Sequence, residues 1–222
     1  MNTNYLFFDI ETIPNQSIEK PIFDKTTVKL GNVKDPIKIA DKLEKEETAF
    51  NNGLTKTMSL SGELCQVLSI GYILTNDIFE EIESGVIYGH EDDAELLKRF
   101  NRTLNTYLQQ YNTYPTLVGW NTKGFDIPVL WKRGIITGER VFSKYMDLCN
   151  KYSYSSIDLM HVWNNFGMGK LTKCCNALGI DAKTGLDGSM IYDAWKDKRI
   201  DDIKEYNLQD CQACVDIAKR IL

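Results

Sequence analysis

The sequence predicts one mixed α/β domain organised around a central sheet, and three observations carry that prediction. Apolar runs of strand length come first in the chain, strand and helix patterns then alternate, and helical patterns fill the C-terminal half. At 222 residues the chain is long enough for a single full hydrophobic core.

Residues 5–10, Tyr-Leu-Phe-Phe-Asp-Ile, form the apolar run expected of a buried central strand. From Pro14 to about Leu60 the character changes to a charged excursion that contains Pro21 and Pro36. It has a helical patch near Asp35–Phe50, marked by Ile37, Ile39 and Leu43. Long excursions in compact domains tend to be functional or mobile. Strand character returns over Cys65–Leu74 and again from about Phe79 to Tyr88, with Thr75-Asn76-Asp77 as a hairpin turn. Residues 92–111 place Leu96, Leu97, Phe100, Leu104, Tyr107 and Leu108 at helical spacing. Thr116–Trp120 reads as another short buried strand, followed by a loop and a helix over Phe125–Arg133. Helical or short mixed segments follow around Ile157–Phe166, Lys170–Leu178, Ser189–Lys196 and Ile200–Ile221.

Apolar residues make up 43% and charged residues 26%, an ordinary soluble balance, and the formal net charge is −5. A protein that wraps duplex by charge alone should be basic, so that class is excluded. Carboxylates that bind divalent metal present a positive site once loaded, so an acidic nuclease stays open. No run reaches the length of a membrane span, and Met1–Phe8 lacks the pattern of a signal peptide. A cytoplasmic location with no membrane partner is therefore expected. Six cysteines fit free thiols in a reducing compartment. Cys211-x-x-Cys214 falls inside a helical pattern with no second CxxC, which favours helix packing over zinc.

Three separated segments carry the chemistry. In Phe8-Asp9-Ile10-Glu11-Thr12, residues two apart on a strand point the same way, so Asp9 and Glu11 share a face. Two neighbouring acids repel unless something positive lies between them, and a divalent cation serves; a solvated strand end is the plainer alternative. In Gly119-Trp120-Asn121-Thr122-Lys123-Gly124-Phe125-Asp126-Ile127-Pro128, a strand ends, a turn follows and Asp126 opens a helix that tolerates its early proline. Taken alone, Asp126 reads as an N-cap. In Tyr206-Asn207-Leu208-Gln209-Asp210, the i and i+4 positions bring the Tyr206 hydroxyl and the Asp210 carboxylate to one face.

Together these ordered motifs resemble the DEDD exonucleases, in the tyrosine variant, because the fifth residue before Asp210 is Glu205, where the histidine variant carries His. The Gly-Trp-Asn-Thr-Lys-Gly-Phe-Asp-Ile-Pro segment is similar to the second motif of the proofreading domain of family B DNA polymerases. The likeness runs through Asp158-Leu-Met, Leu171…Leu178-Gly179 and Asp187-Gly188 in the order seen in stand-alone exonucleases related to that domain. It implies one RNase H-like domain over residues 1–222, a central mixed sheet flanked by helices, with 14–60 as a charged, partly helical insertion. It assigns metal binding and catalysis to Asp9, Glu11, Asp126 and Asp210, water positioning to Tyr206, and substrate contacts to Asn121, Phe125 and Thr12. Trp120, where the polymerase motif often has Tyr, is expected to pack.

The implied cofactors are two divalent cations, and hard oxygen ligands favour Mg²⁺ or Mn²⁺ over zinc. Asp9 is expected to bridge both ions, with Glu11 and Asp210 completing one site and Asp126 serving the other. The expected activity is 3′→5′ hydrolysis of phosphodiester bonds from a single-stranded or frayed DNA end, releasing nucleoside 5′-monophosphates, with a replication or repair protein as a further partner. The competing readings are an RNA 3′-end trimming exonuclease, a structure-specific endonuclease and a catalytically silent nucleic-acid binder of the same fold. His90 and His161 are alternative general bases, His90 reading as exposed and His161 as a core-edge residue. Asp158 reads first as a helix cap, and Lys170, Lys173 and Lys196–Arg199 as solvated surface.

Overall fold

The structure, a computed structural model, describes residues 4–89, 92–142, 145–150, 152–153, 155–181 and 185–222; His90 lies outside the described residues. Among the described residues, five strands form one mixed sheet: β1 (Tyr5–Pro14), β2 (Cys65–Thr75), β3 (Glu81–Tyr88), β4 (Thr116–Gly119) and β5 (Ser156–Asp158). Their order is β3-β2-β1-β4-β5. β1 pairs antiparallel with β2 and parallel with β4; β2–β3 is antiparallel and β4–β5 parallel. The acid-bearing strand is thus the central one, as the apolar run around it predicts, and the RNase H-like expectation holds.

The alternation along β1 sorts its side chains into two layers. Leu6, Phe8 and Ile10 enter the core under α2 (Asp93–Tyr111) and α3 (Asp126–Thr137), with Leu96, Phe100, Ile127 and Leu130. Phe7 faces the opposite layer, packing with Leu159 of α5 (Leu159–Trp163), Cys174 and Cys175 of α6 (Leu171–Leu178), and Cys211, Cys214 and Ile217 of α8 (Ile200–Ile221). Ile13 lies on that side too, against Ile191 and Ala194 of α7 (Ile191–Lys196). Burying a large apolar side chain is worth about 1.5–3 kcal/mol, so the two layers pin β1 in register. Asp9 and Glu11 fall between Phe7 and Ile13 on the α8 side.

Cys211 and Cys214 are buried on the sheet-facing side of α8. Among the described residues, no helix is long and apolar enough to cross a membrane.

Several boundaries differ from the sequence reading. β1 continues past Ile10 to Pro14, because its pairing with β2 persists through a bulge at Glu11/Thr12. β3 starts at Glu81, since Phe79 adopts a left-handed φ of 62° in the turn, where its ring lies 5.0 Å from Tyr5. The helical patch near Asp35–Phe50 becomes α1, Pro36–Ser59, started by the Asp35 carboxylate accepting from Ile37 N–H and by a proline in the first turn. Only Met58 of α1 is buried, so its far end shows no core-facing stripe in the sequence. The mixed segment around Ile157–Phe166 separates into β5 and α5. A short helix, α4 (Tyr145–Cys149), lies between α3 and β5 in the chain.

Candidate active site

Antiparallel pairing puts small residues opposite the β1 acids: Gly71 faces Asp9, and Ser69 faces Glu11. Partners in a ladder project to the same side, so this small-residue patch lets α8 approach the sheet closely. A Cβ at position 71 would stand 2.9 Å from the Asn207 carbonyl oxygen. Glycine is required there. The approach carries Asp210 to the strand, and Asp9, Glu11 and Asp210 each offer a ligand oxygen, all within 4.8 Å of one another. Glu11 and Asp210 are buried, and Asp9 is partly so.

Asp126 is not part of that trio, but it borders it. The sequence suggests an N-cap, whereas the structure starts α3 at Asp126 with Phe125 in the cap position and no side-chain cap bond. The carboxylate instead reaches across to accept the Ile10 N–H at 3.1 Å. Burial and then the neighbouring Asp9 charge raise its pKa well above the usual carboxylate range. Four acids from β1, α3 and α8 therefore lie close together, with the β1 pair carried near the middle of that strand.

Tyr206 projects toward the same acids. Burial, then Glu11, Asp9 and Asp187, raise its phenol above the ordinary tyrosine value, while the Gly188 backbone N–H hydrogen-bonds to it. A phenol in that field keeps its proton at neutral pH.

The loop before α3 is held by a residue that the sequence presented chiefly as a cap. Asp158 does cap α5, through Met160 N–H and His161 N–H. Its carboxylate also accepts Asn121 N–H and Lys123 N–H, both at 3.0 Å. Lys123 ties the other side, donating from Nζ to the Asn150 and Ser153 carbonyls at 2.8 and 3.0 Å. Asn121 takes a φ of 60°, and a Cβ on Gly124 would collide with its side-chain oxygen. Phe125 is partly buried against the core of the α2/α3 layer. Trp120 packs, as expected, and donates Nε1–H to the Gly169 carbonyl at 2.9 Å. The Thr12 hydroxyl donates to the Ser59 carbonyl at 2.7 Å, anchoring the end of α1 beside the acids. His161 lines a separate groove with Asp158 and Phe166, and Lys196 and Arg199 pair with Asp193 and Asp202 on the surface.

The sequence motifs do not single out Asn207, a buried polar residue of the site. Asn207, between Tyr206 and Asp210, contacts Asp9 directly. Its signal was present, because position 207 shares the Asp210 face of the helix, three residues away.

The family model for predicted 3′–5′ exonucleases related to the exonuclease domain of PolB matches residues 59–214, more than half of the chain. The chain belongs to this family. The family is described as one of predicted 3′–5′ exonucleases. The match includes Asp126, Tyr206 and Asp210 but begins after Asp9 and Glu11, so it is the fold that adds the first two acids to the site. Among solved structures, the family B DNA polymerase of the hyperthermophilic archaeon Pyrobaculum calidifontis is similar at 17% identity and a TM-score of 0.59 over 98% of this chain. The zinc-bound E. coli exonuclease I–single-stranded DNA complex is similar at 14% identity and a TM-score of 0.56, again over 98% of the chain. A product-bound exonuclease I gives 13% identity and a TM-score of 0.53 over 99%. At such identities the likeness establishes the fold. The chain spans 24% of the polymerase and 40% and 43% of the two exonuclease I chains. A search of curated proteins finds no match.

Proposed function

We propose that the protein hydrolyses phosphodiester bonds from the 3′ end of single-stranded or frayed DNA, one nucleoside 5′-monophosphate at a time, as a member of the tyrosine subgroup. The observation that carries this reading is the convergence of Asp9, Glu11 and Asp210 within 4.8 Å, with the Tyr206 phenol in the field of the same carboxylates. Three clustered carboxylates repel strongly unless a cation neutralises them, and hard oxygen donors suit Mg²⁺ or Mn²⁺. Asp9, Glu11 and Asp210 would hold one such ion, and Asp126, beside Asp9, would serve a second. When bound, divalent cations lower the pKa of water and neutralise charge on the phosphate and the leaving oxygen.

In this reading the water oxygen bonds to phosphorus, the bond from phosphorus to the 3′ oxygen of the penultimate nucleotide breaks, and that oxygen takes a proton to become the new 3′ hydroxyl. Tyr206 orients the water through its retained hydroxyl. Asn121 and Phe125, on the loop clamped by Asp158, hold the terminal nucleotide. The engaged hydroxyl of Thr12 favours an anchoring role for that residue. Single-stranded DNA is favoured as substrate because a structural relative is an exonuclease I in complex with it.

The test uses purified protein, Mg²⁺ or Mn²⁺, and matched 5′-labelled DNA and RNA oligonucleotides. A descending ladder on DNA that EDTA stops supports the proposal. A stronger ladder on RNA reassigns the substrate, and absence of a ladder on either polymer rejects the activity. Tyr206→Phe should lower kcat by about 10²-fold, the scale expected when a reacting group is misplaced, with KM little changed. Because a tyrosine phenol ordinarily titrates near pH 10, wild type and variant should show the same pH–rate shape between pH 6 and 9. An added ionisation seen only in the wild type would reject the orienting role.

A further inference from the structure

Asn207 lies against Asp9 of the acid cluster and is completely buried, at 0% exposure. A buried primary amide has two N–H bonds and a carbonyl to satisfy, and leaving any of them unmatched is costly. Here all three find partners on β1 and β2. Nδ2 donates to Asp9 Oδ2 at 2.7 Å and to the Asp9 main-chain carbonyl at 3.1 Å. Oδ1 accepts from Ser69 Oγ at 3.0 Å. Both Asp9 atoms act as acceptors, so the chemistry of the partners dictates which end of the amide faces β1.

The surroundings are shaped for this contact. Gly71, opposite Asp9, leaves room for the Asn207 backbone and side chain: a Cβ there would stand 2.9 Å from the Asn207 oxygen and 3.0 Å from its Cγ. Ser69, opposite Glu11, supplies the hydroxyl that grips the far end of the amide. A side chain needed only to fill the helix–sheet interface would be apolar, like Phe7 and Cys211 nearby. An amide that spans the carboxylate and carbonyl of one residue does something more specific. It ties the Asp9 side chain to its own backbone.

We infer that Asn207 is a positioning residue that fixes the Asp9 carboxylate in its cation-receiving rotamer and thereby sets the affinity of the cluster for a divalent ion. This rests on the proposed reading of Asp9, Glu11 and Asp210 as the metal site. Repulsion from Glu11 and Asp210 pushes Asp9 outward in the metal-free protein. The two donors of Asn207 oppose that displacement, so the ion meets an arranged ligand. Tyr206, Asn207 and Asp210 then form one helical unit: water orientation, ligand orientation and ligand.

The experiment titrates Mn²⁺ alone into the full chain by isothermal calorimetry, for wild type, Asn207→Ala and Ser69→Ala, alongside circular-dichroism melting. Asn207→Ala should stay folded and bind Mn²⁺ roughly 10–100-fold more weakly, the usual consequence of removing a partner that orients a ligand. The Mn²⁺ concentration for half-maximal rate should rise in parallel, with the oligonucleotide KM unchanged. A folded Asn207→Ala with wild-type Mn²⁺ affinity overturns the inference and leaves Asn207 as packing. Should Asn207→Ala not fold, Ser69→Ala decides: it leaves the amide in place but loosened, so weaker Mn²⁺ binding supports the inference and unchanged binding overturns it. Failure of the wild type itself to bind Mn²⁺ rejects the metal site, a different outcome from failure of the Asn207 role.

Discussion

Asp210→Asn should lose turnover by roughly 10³-fold or more, yet melt at a higher temperature than the wild type once divalent cations are chelated. The two effects have one cause. Asp9, Glu11 and Asp210 bring ligand oxygens within 4.8 Å, where like charges repel by about 3 kcal/mol per pair at an effective dielectric of about 20. Replacing one carboxylate by its isosteric amide removes its share of that repulsion. Loss of the interactions made by the native carboxylate offsets part of the gain. The net stabilisation should be about 1 kcal/mol, or about 2–4 °C in Tm for a chain of this size. Mn²⁺ reverses the order: at about 100 times its Kd it stabilises the wild type by about 2.7 kcal/mol, and the variant by much less. Thermal melts with EDTA and with Mn²⁺ check both halves. Wild-type turnover by Asp210→Asn, or a lower Tm in EDTA, would contradict this account.

Arg133→Ala and Asp93→Ala should each destabilise the fold by about 3–5 kcal/mol, lowering Tm by about 10 °C. The pair is sealed, with each side chain only 4% exposed. Nε donates to Oδ2 at 2.7 Å and Nη2 to Oδ1 at 3.1 Å, the two-pronged geometry that suits guanidinium and carboxylate. Asp93 Oδ2 also accepts the Val67 N–H at 3.3 Å, so one carboxylate joins α2, α3 and β2. Removing either partner strands a charge in the interior. Combining Asp93→Leu with Arg133→Met removes both charges and should recover most of the loss. Urea unfolding measures all three variants; single variants within about 1 kcal/mol of wild type would contradict the assignment. About two turns upstream on α3 stands Asp126, so loosening this joint should also reduce turnover at temperatures where the protein remains folded.

The parts of the fold that sequence exposes are those written in local patterns. β1 is visible because an apolar run encloses two acids at alternate positions. α2 is visible because Leu96, Phe100, Leu104 and Tyr107 recur at helical spacing. The site emerges because its three motifs resemble those of an exonuclease family in the right order. What stays hidden depends on partners distant in the chain. β5 has three residues, too few for any period. Asp126 looks like a cap because capping is local, whereas its partner Ile10 lies 116 residues away. The Asn207–Asp9 bond spans 198 positions, and the Arg133–Asp93 bond spans 40. Local sequence offers at most a shared helix face, as between Asn207 and Asp210, and never the distant partner. The full extent of α1 is concealed for another reason: a helix that buries little does not need an amphipathic stripe.

That helix has an evolutionary consequence. It is attached to the sheet near its last turn, where Met58 is buried and Ser59 receives Thr12, while the preceding turns bury no residue and touch the segment before the helix, Phe50 against Phe23 and Glu47 against Lys25. Doubling the length of such a connection changes the closure entropy by only about 0.6 kcal/mol. Descendants of one ancestor can therefore lengthen, trim or redecorate the appendage while keeping the acid cluster intact. Kinship traced along the polypeptide starts at residue 59, where the appendage ends, although Asp9 remains within reach of Asp210 in space.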